Sequence, residues 1–140
     1  MREILFRGRT NYGLWVYGFY NHIPCGRYQS DEHCIQTINE DGRIGMLFNV
    51  DAETVGQFTG LTDKNGKKIF EGDIVVYDNT PYNAYGHRVI GVMVWHKWMW
   101  KFRYKEYEST YHYSCGSEDF FGAKSEVIGN IHDNPELLEE

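Results

Sequence analysis

The stretch Gln57-Phe-Thr-Gly-Leu-Thr-Asp-Lys-Asn-Gly-Lys-Lys-Ile-Phe-Glu-Gly-Asp-Ile-Val-Val76 decides the fold. It reads as two strand ends joined by a tight turn at Asn65-Gly66, then a Glu71-Gly72-Asp73 break and a fully apolar strand. Asn-Gly suits a type I′ turn, which needs positive φ at both central residues. Asp or Glu beside a glycine at a strand start more often satisfies backbone N–H groups than carries out acid–base work. Glu71 and Asp73 therefore read as turn formers.

Working outward, short apolar-alternating runs are separated by turn signals. Arg2 to Arg9 is a first strand, Thr10-Asn11-Tyr12-Gly13 a turn, and Leu14 to Tyr20 a second strand. Asn21 to Ser30 is a loop, His33 to Ile38 a third strand, Asn39-Glu-Asp-Gly42 a turn and Arg43 to Val50 a fourth strand. Asp51 to Thr54 reads as a connection or one helical turn capped by Asp51. Beyond the opening stretch, Asp73 to Asp78, Val89 to Trp95, Trp98 to Lys105 and Ser125 to His132 are strands, whereas Glu106 to Ala123 reads as loop. Asn134 with Pro135 opens a short C-terminal helix.

The composition agrees. Aromatic residues make up 16% of the 140 residues, with 11 tyrosines and 15 glycines, which suits pleated surfaces and tight turns. A formal charge of −6 disfavours non-specific nucleic-acid binding. No apolar run reaches the roughly 18 residues of a transmembrane helix, and Met1 to Phe6 does not look like a leader peptide. Three cysteines in such a chain predict reduced thiols in a cytoplasm, with no membrane partner.

Four constellations bear on chemistry. Along Trp98 to Lys105, a period of two places Trp98, Trp100, Phe102 and Tyr104 on one face, and Met99, Lys101, Arg103 and Lys105 on the other. An aromatic row beside a basic row can stack bases and follow phosphates. The simpler reading puts the rings in a core and the cations in solvent. His22, Cys25, His33 and Cys34 are zinc-type ligands, but their spacing is not that of a zinc finger. Adjacent His33 and Cys34 would also point to opposite faces of a strand, so no metal or other cofactor is expected. Cys115 near His112 lacks an evident orienting partner, and the glycines do not take a phosphate-loop spacing, so no catalytic residue is assigned. Finally, Tyr104, Tyr107, Tyr111 and Tyr113, with His112, Phe120 and Phe121, form an aromatic cluster of a kind suited to protein interfaces.

Three blocks, in order, resemble the YopX-like family of phage and prophage proteins. They are Arg2-Glu-Ile-Leu-Phe-Arg7 with Trp15-Val-Tyr-Gly18, then Gln57 through Val75, then Val127-Ile-Gly-Asn-Ile131 with Asn134-Pro-Glu-Leu-Leu138. The region from Asn79 to Ser125 matches least. The resemblance implies an SH3-type barrel in the C-terminal part. It implies no activity, because the family carries none that is agreed, and fold does not convey function.

The expected architecture is mainly β: an N-terminal antiparallel meander over residues 1–55, an SH3-like small barrel over 56–140 and a short C-terminal helix. The expected function is that of a non-enzymatic phage or prophage accessory protein in the bacterial cytoplasm. It would act by binding, as a homo-oligomer or with a protein partner. The binding surface is expected at Trp98, Trp100, Lys101, Phe102, Arg103, Tyr104, Lys105, Tyr107, Tyr111 and Tyr113. The alternative is a single-stranded nucleic-acid-binding protein that uses this strand with Arg2, Arg7 and Arg9.

Overall fold

Three loops of one design shape the hairpins. In Thr10–Leu14, Asn39–Arg43 and Asp63–Lys67 the fourth residue is glycine, at φ 83, 80 and 79°. Each glycine N–H donates to the carbonyl of the first loop residue, at 3.0, 2.9 and 3.0 Å. The first residue's N–H donates to the carbonyl of the fifth, at 2.9, 2.7 and 2.8 Å. Such three-residue hairpin loops ask only one position to adopt the left-handed backbone. Asn65-Gly66 is thus not the central pair of a type I′ turn: Lys64 and Asn65 occupy the turn and Gly66 alone takes the left-handed site. The cause lies in Asp63, whose Oδ1 accepts from the N–H groups of Asn65 and Lys67, both at 2.9 Å, and so fixes the longer loop.

The computed structural model describes residues 3–24, 31–78, 88–96, 99–107, 110–114 and 123–139, with the backbone alone at 96, 104–107 and 110–114. It divides into two compact units, Met1–Phe58 and Thr59–Glu140. No described helix is long and apolar enough to cross a membrane.

The first unit is an antiparallel meander of β1 (Phe6–Arg9), β2 (Trp15–Ile23), β3 (Glu32–Ile38) and β4 (Ile44–Asn49), in spatial order β4-β3-β2-β1. The start of β5 (Gly56–Thr62) lies antiparallel to β1, with Phe6 opposite Gln57. Alternation and register place Phe6, Val16, Tyr20 and Ile35 on one face, where Val16 and Ile35 are buried. Between β4 and β5, Ala52–Thr54 makes one 3₁₀ turn. It begins at Asp51, whose Oδ1 accepts from Glu53 N at 3.1 Å. Thr54 Oγ1 accepts from Arg9 N at 2.8 Å and ties that turn to β1.

In the second unit, the end of β5 and β6 (Lys68–Phe70) flank the Asp63–Lys67 loop. A sheet of β7 (Asp73–Asp78), β8 (Arg88–His96), β9 (Met99–Tyr107), β10 (Thr110–Ser114) and β11 (Ser125–Asn130) runs in order β10-β9-β8-β7-β11, all antiparallel. Ile69, Val75, Met93 and Phe102 form its core, with Leu61, Tyr77, Val89, Trp100 and Val127 packed against them. Ile74, Val75 and Val76 are all buried although they alternate in direction, so β7 is covered on both faces and reads as an unbroken apolar run. Two buried carboxylates secure the signature stretch. Asp63 Oδ2 accepts from Val127 N at 3.0 Å, and Asp73 Oδ2 accepts from Phe70 N at 2.7 Å.

The mainly β, antiparallel architecture is as expected, with local corrections besides the Asn65 turn. Asn21, His22 and Ile23, expected as part of a loop, continue strand β2 opposite Cys34, His33 and Glu32. Thr110–Ser114, expected as loop, is strand β10 paired to β9. Its Thr-Tyr-His-Tyr-Ser sequence lacks aliphatic alternation, but Thr and Tyr are themselves strand formers. The C-terminal helix is a single 3₁₀ turn, Pro135–Leu138. Asn134 stands at its N-cap but makes no side-chain capping bond; its Oδ1 accepts from Asn130 N at 3.3 Å instead.

Candidate functional site

The predicted aromatic strand is β9. Phe102, 2% exposed, is a core residue of the second unit and is withdrawn from the predicted binding surface; its burial contributes about 1.5–3 kcal/mol. Trp100 packs on the same core, edge-on to Trp95 at 4.9 Å and 74°. Its buried indole Nε1 has no hydrogen-bond partner among the described residues. Lys101 and Arg103 take the opposite face and are half-buried. On β10, register sets Tyr113 opposite Arg103, Tyr111 opposite Lys105 and His112 opposite Tyr104. The side chains of Tyr104, Lys105, Tyr107, Tyr111, His112 and Tyr113 lie outside the described residues, as do Trp98, Cys115, Phe120 and Phe121 entirely.

The arginines of the nucleic-acid reading divide. Arg2 lies outside the described residues. Arg7 is buried, its guanidinium 4.7 Å from the centroid of Trp15, and Arg9 approaches the same ring at 5.9 Å. Arg7, a cation desolvated over an indole face, takes part in the packing of β1 on β2. Nearby, a cleft of about 760 Å³ is lined by Arg9, Thr10, Tyr12, Asn49 and Asp51 among others. Its charged groups are engaged, Arg9 with Trp15 and Asp51 with the 3₁₀ turn.

Two features of the first unit lie outside the expected binding surface, the second of them weighed in the sequence as part of a zinc-type quartet and set aside. The first is the terminal strand β4, Ile-Gly-Met-Leu-Phe-Asn, which carries no charge and no proline. Its Ile44, Met46 and Leu47 are 62, 68 and 53% exposed. By register Leu47, Gln36 and Phe19 form one row across β4, β3 and β2, in which Gln36 separates the exposed side chains of Leu47 and Phe19.

The second feature is a histidine pair. His22 and His33 stand directly opposite on β2 and β3, with ring centroids 4.4 Å apart and planes within 6°. His22 Nε2 lies 3.2 Å from Asp31 Oδ2. His33 Nδ1 is hydrogen-bonded to the Tyr20 hydroxyl at 2.5 Å. Burial raises the Tyr20 phenol above its ordinary pKa, with a smaller push from Cys34, so it stays protonated at neutral pH. One ligand atom from each of His22, Asp31 and His33 falls within 4.8 Å of the others. Among the described residues of the His/Cys quartet read from sequence, the two histidines come together and Cys34 does not join them. Cys34 is buried on the other face and its Sγ–H donates to Asn49 Oδ1 at 3.1 Å, while Cys25 lies outside the described residues. Burial first, and Glu32 second, push the Cys34 thiol pKa up.

Residues 10–139 match the family model described as YopX protein. The crystal structure of protein EF1440 from Enterococcus faecalis is similar to this chain at a TM-score of 0.59 and 25% identity, over 99% of this chain and 100% of that one. No curated protein matches. The family model takes in both units and the whole signature stretch, from the Thr10 turn to the C-terminal 3₁₀ turn, and the chain therefore belongs to the YopX family.

Proposed function

We propose that this protein is a phage or prophage accessory protein that acts by binding rather than catalysis, and that it self-associates through the edge of its first unit. The observation that carries this reading is β4. Terminal strands present unpaired backbone groups, and folded proteins ordinarily blunt them with lysine, proline, bulges or a covering element. β4 has neither lysine nor proline, although its pairing with β3 shifts register between Gln36 and Ile38, and three of its six side chains are large, apolar and exposed. A second copy fits because an antiparallel β4–β4 contact about a two-fold axis sets the same uncharged strand against itself, with no like-charge cost. The signature acids support a scaffold role, since Asp63 and Asp73 are taken up by backbone N–H groups.

Light scattering coupled to size-exclusion chromatography at tens of micromolar tests the proposal. Wild type is expected to elute as a dimer or larger oligomer, and a Met46→Lys, Leu47→Lys double variant as a monomer with unchanged circular dichroism. A monodisperse wild-type monomer sinks it.

The second reading, single-stranded nucleic-acid binding, is favoured by one observation: the register that sets Tyr113 and Tyr111 opposite Arg103 and Lys105. Its signature is excess absorbance at 260 nm that salt removes. Replacing Lys101, Arg103 and Lys105 with Ala is expected to abolish that binding, and binding left unchanged would refute it.

A further inference from the structure

We propose that His22, His33 and Asp31 form a binding site for a divalent transition-metal ion of the zinc class, with Tyr20 as the residue that orients His33. The argument begins with register. Two histidines directly opposite on adjacent antiparallel strands project from the same face, and Asp31, immediately before β3, brings its carboxylate to within 3.2 Å of His22 Nε2. Two imidazoles and one carboxylate are ligands for Zn²⁺, Co²⁺, Ni²⁺ or Cu²⁺ rather than for Ca²⁺ or Mg²⁺, which favour all-oxygen shells. Three protein ligands leave a fourth position for water or an incoming group, the pattern of an open site rather than a closed structural one.

Tyr20 supplies the second feature of such a site. A metal-bound histidine ordinarily gives its other ring N–H to a fixed acceptor, which sets the tautomer and aims the lone pair. The Tyr20 oxygen at His33 Nδ1 is placed to accept that N–H, which leaves the Nε2 lone pair of His33 for the ion. One movement is needed. The two rings lie nearly parallel, so their in-plane lone pairs cannot meet at one point. His22 must swing out of the stack and exchange its contact with Asp31 for a shared ion, and its side chain, 42% exposed, has the room to do so.

Spectroscopic titration of the full-length protein with Co²⁺ alone, and thermal unfolding with excess Zn²⁺, test the assignment. Wild type is expected to develop visible d–d bands on Co²⁺ addition and to melt at a higher temperature with Zn²⁺, because an ion that binds only the folded state stabilises it. His22→Gln and Asp31→Asn, both at exposed side chains, are expected to keep the fold and lose the bands. Tyr20→Phe is expected to retain the site but bind about tenfold or more weakly, with shifted bands. The proposal is overturned if wild type shows neither bands nor a thermal shift. It is equally overturned if binding survives undiminished in His22→Gln and Asp31→Asn, or is lost in Cys25→Ser while His22→Gln retains it.

Discussion

Among the described residues, the first unit leaves more of its large apolar side chains in water than the second, where Trp95 and Met99 are among those exposed. In the second, β7 is buried on both faces, and the core of Ile69, Val75, Met93 and Phe102 draws one residue from each of β6, β7, β8 and β9. In the first, Val16 of β2 and Ile35 of β3 are buried on one face, yet Tyr17, Phe19, Met46 and Leu47 are exposed. Burial of these side chains in water gains on the order of 1.5–3 kcal/mol each. A sheet that forgoes it at several positions either covers them by association or keeps them for a partner. The difference teaches where to look: the second unit holds most of the interior packing, and the first holds the open edge and the histidine cluster.

The sharpest way to break this contrast is to remove one ring from each unit. Phe102→Ala is expected to lower the free energy of unfolding by about 3–5 kcal/mol. Phe19→Ala is expected to change it by less than about 1 kcal/mol, because its ring is already half in water. Urea titrations of both variants at a concentration where wild type is monomeric would show it, and equal losses would end the distinction.

A smaller effect separates the carboxylates. Asp63→Ala strips the acceptor from three backbone N–H groups, those of Asn65, Lys67 and Val127, at a cost of about 2–3 kcal/mol. Asp31→Asn removes an exposed contact to His22 and is expected to cost under about 1 kcal/mol in the absence of metal. A loss on Asp31→Asn as large as that on Asp63→Ala would show the histidine cluster to be structural.

The smallest expected effect concerns titration. Burial holds Cys34, Tyr20 and Tyr77 in their neutral forms by raising their pKa values. The unfolded chain ionises first as pH rises, so their contribution to stability is intact below the ordinary pKa values and falls away as pH climbs from there through the raised ones. Stability is expected to decline from roughly pH 8.5 upward. Below that pH, iodoacetamide is expected to label Cys34 of the native protein far more slowly than that of the unfolded protein, as read by peptide mass spectrometry. Rapid native labelling at Cys34 would contradict the buried thiol.

Much of the fold was legible because glycine-bearing turns and apolar alternation are local signals. Gly13, Gly42 and Gly66 mark the hairpins, and Ile74-Val75-Val76 marks a strand covered on both faces. The turn type at Asn65 was misread because the decisive group, the Asp63 carboxylate, acts from outside the dipeptide. β10 was missed because its alternation is tyrosine against polar residues rather than aliphatic against polar ones. The histidine pair was hidden for a different reason. His22 was expected in the Asn21–Ser30 loop, whereas β2 runs on to Ile23, and no tight-turn spacing links it to β3 to predict that His22 faces His33. The opposite orientation of His33 and Cys34 followed from strand geometry alone.

The strand order also bears on how the chain folds as it is made. β1 to β4 and β7 to β10 each pair with the next strand in sequence; the partners that return over long separations are β5 on β1 and β11 on β7. Neighbour-to-neighbour pairing closes short loops and forms early, whereas long-range closure comes late. The first meander can therefore assemble on the ribosome before β5 is available, while the seam between β11 and β7, with the Asp63 to Val127 bond across 64 residues, must wait for the end of the chain.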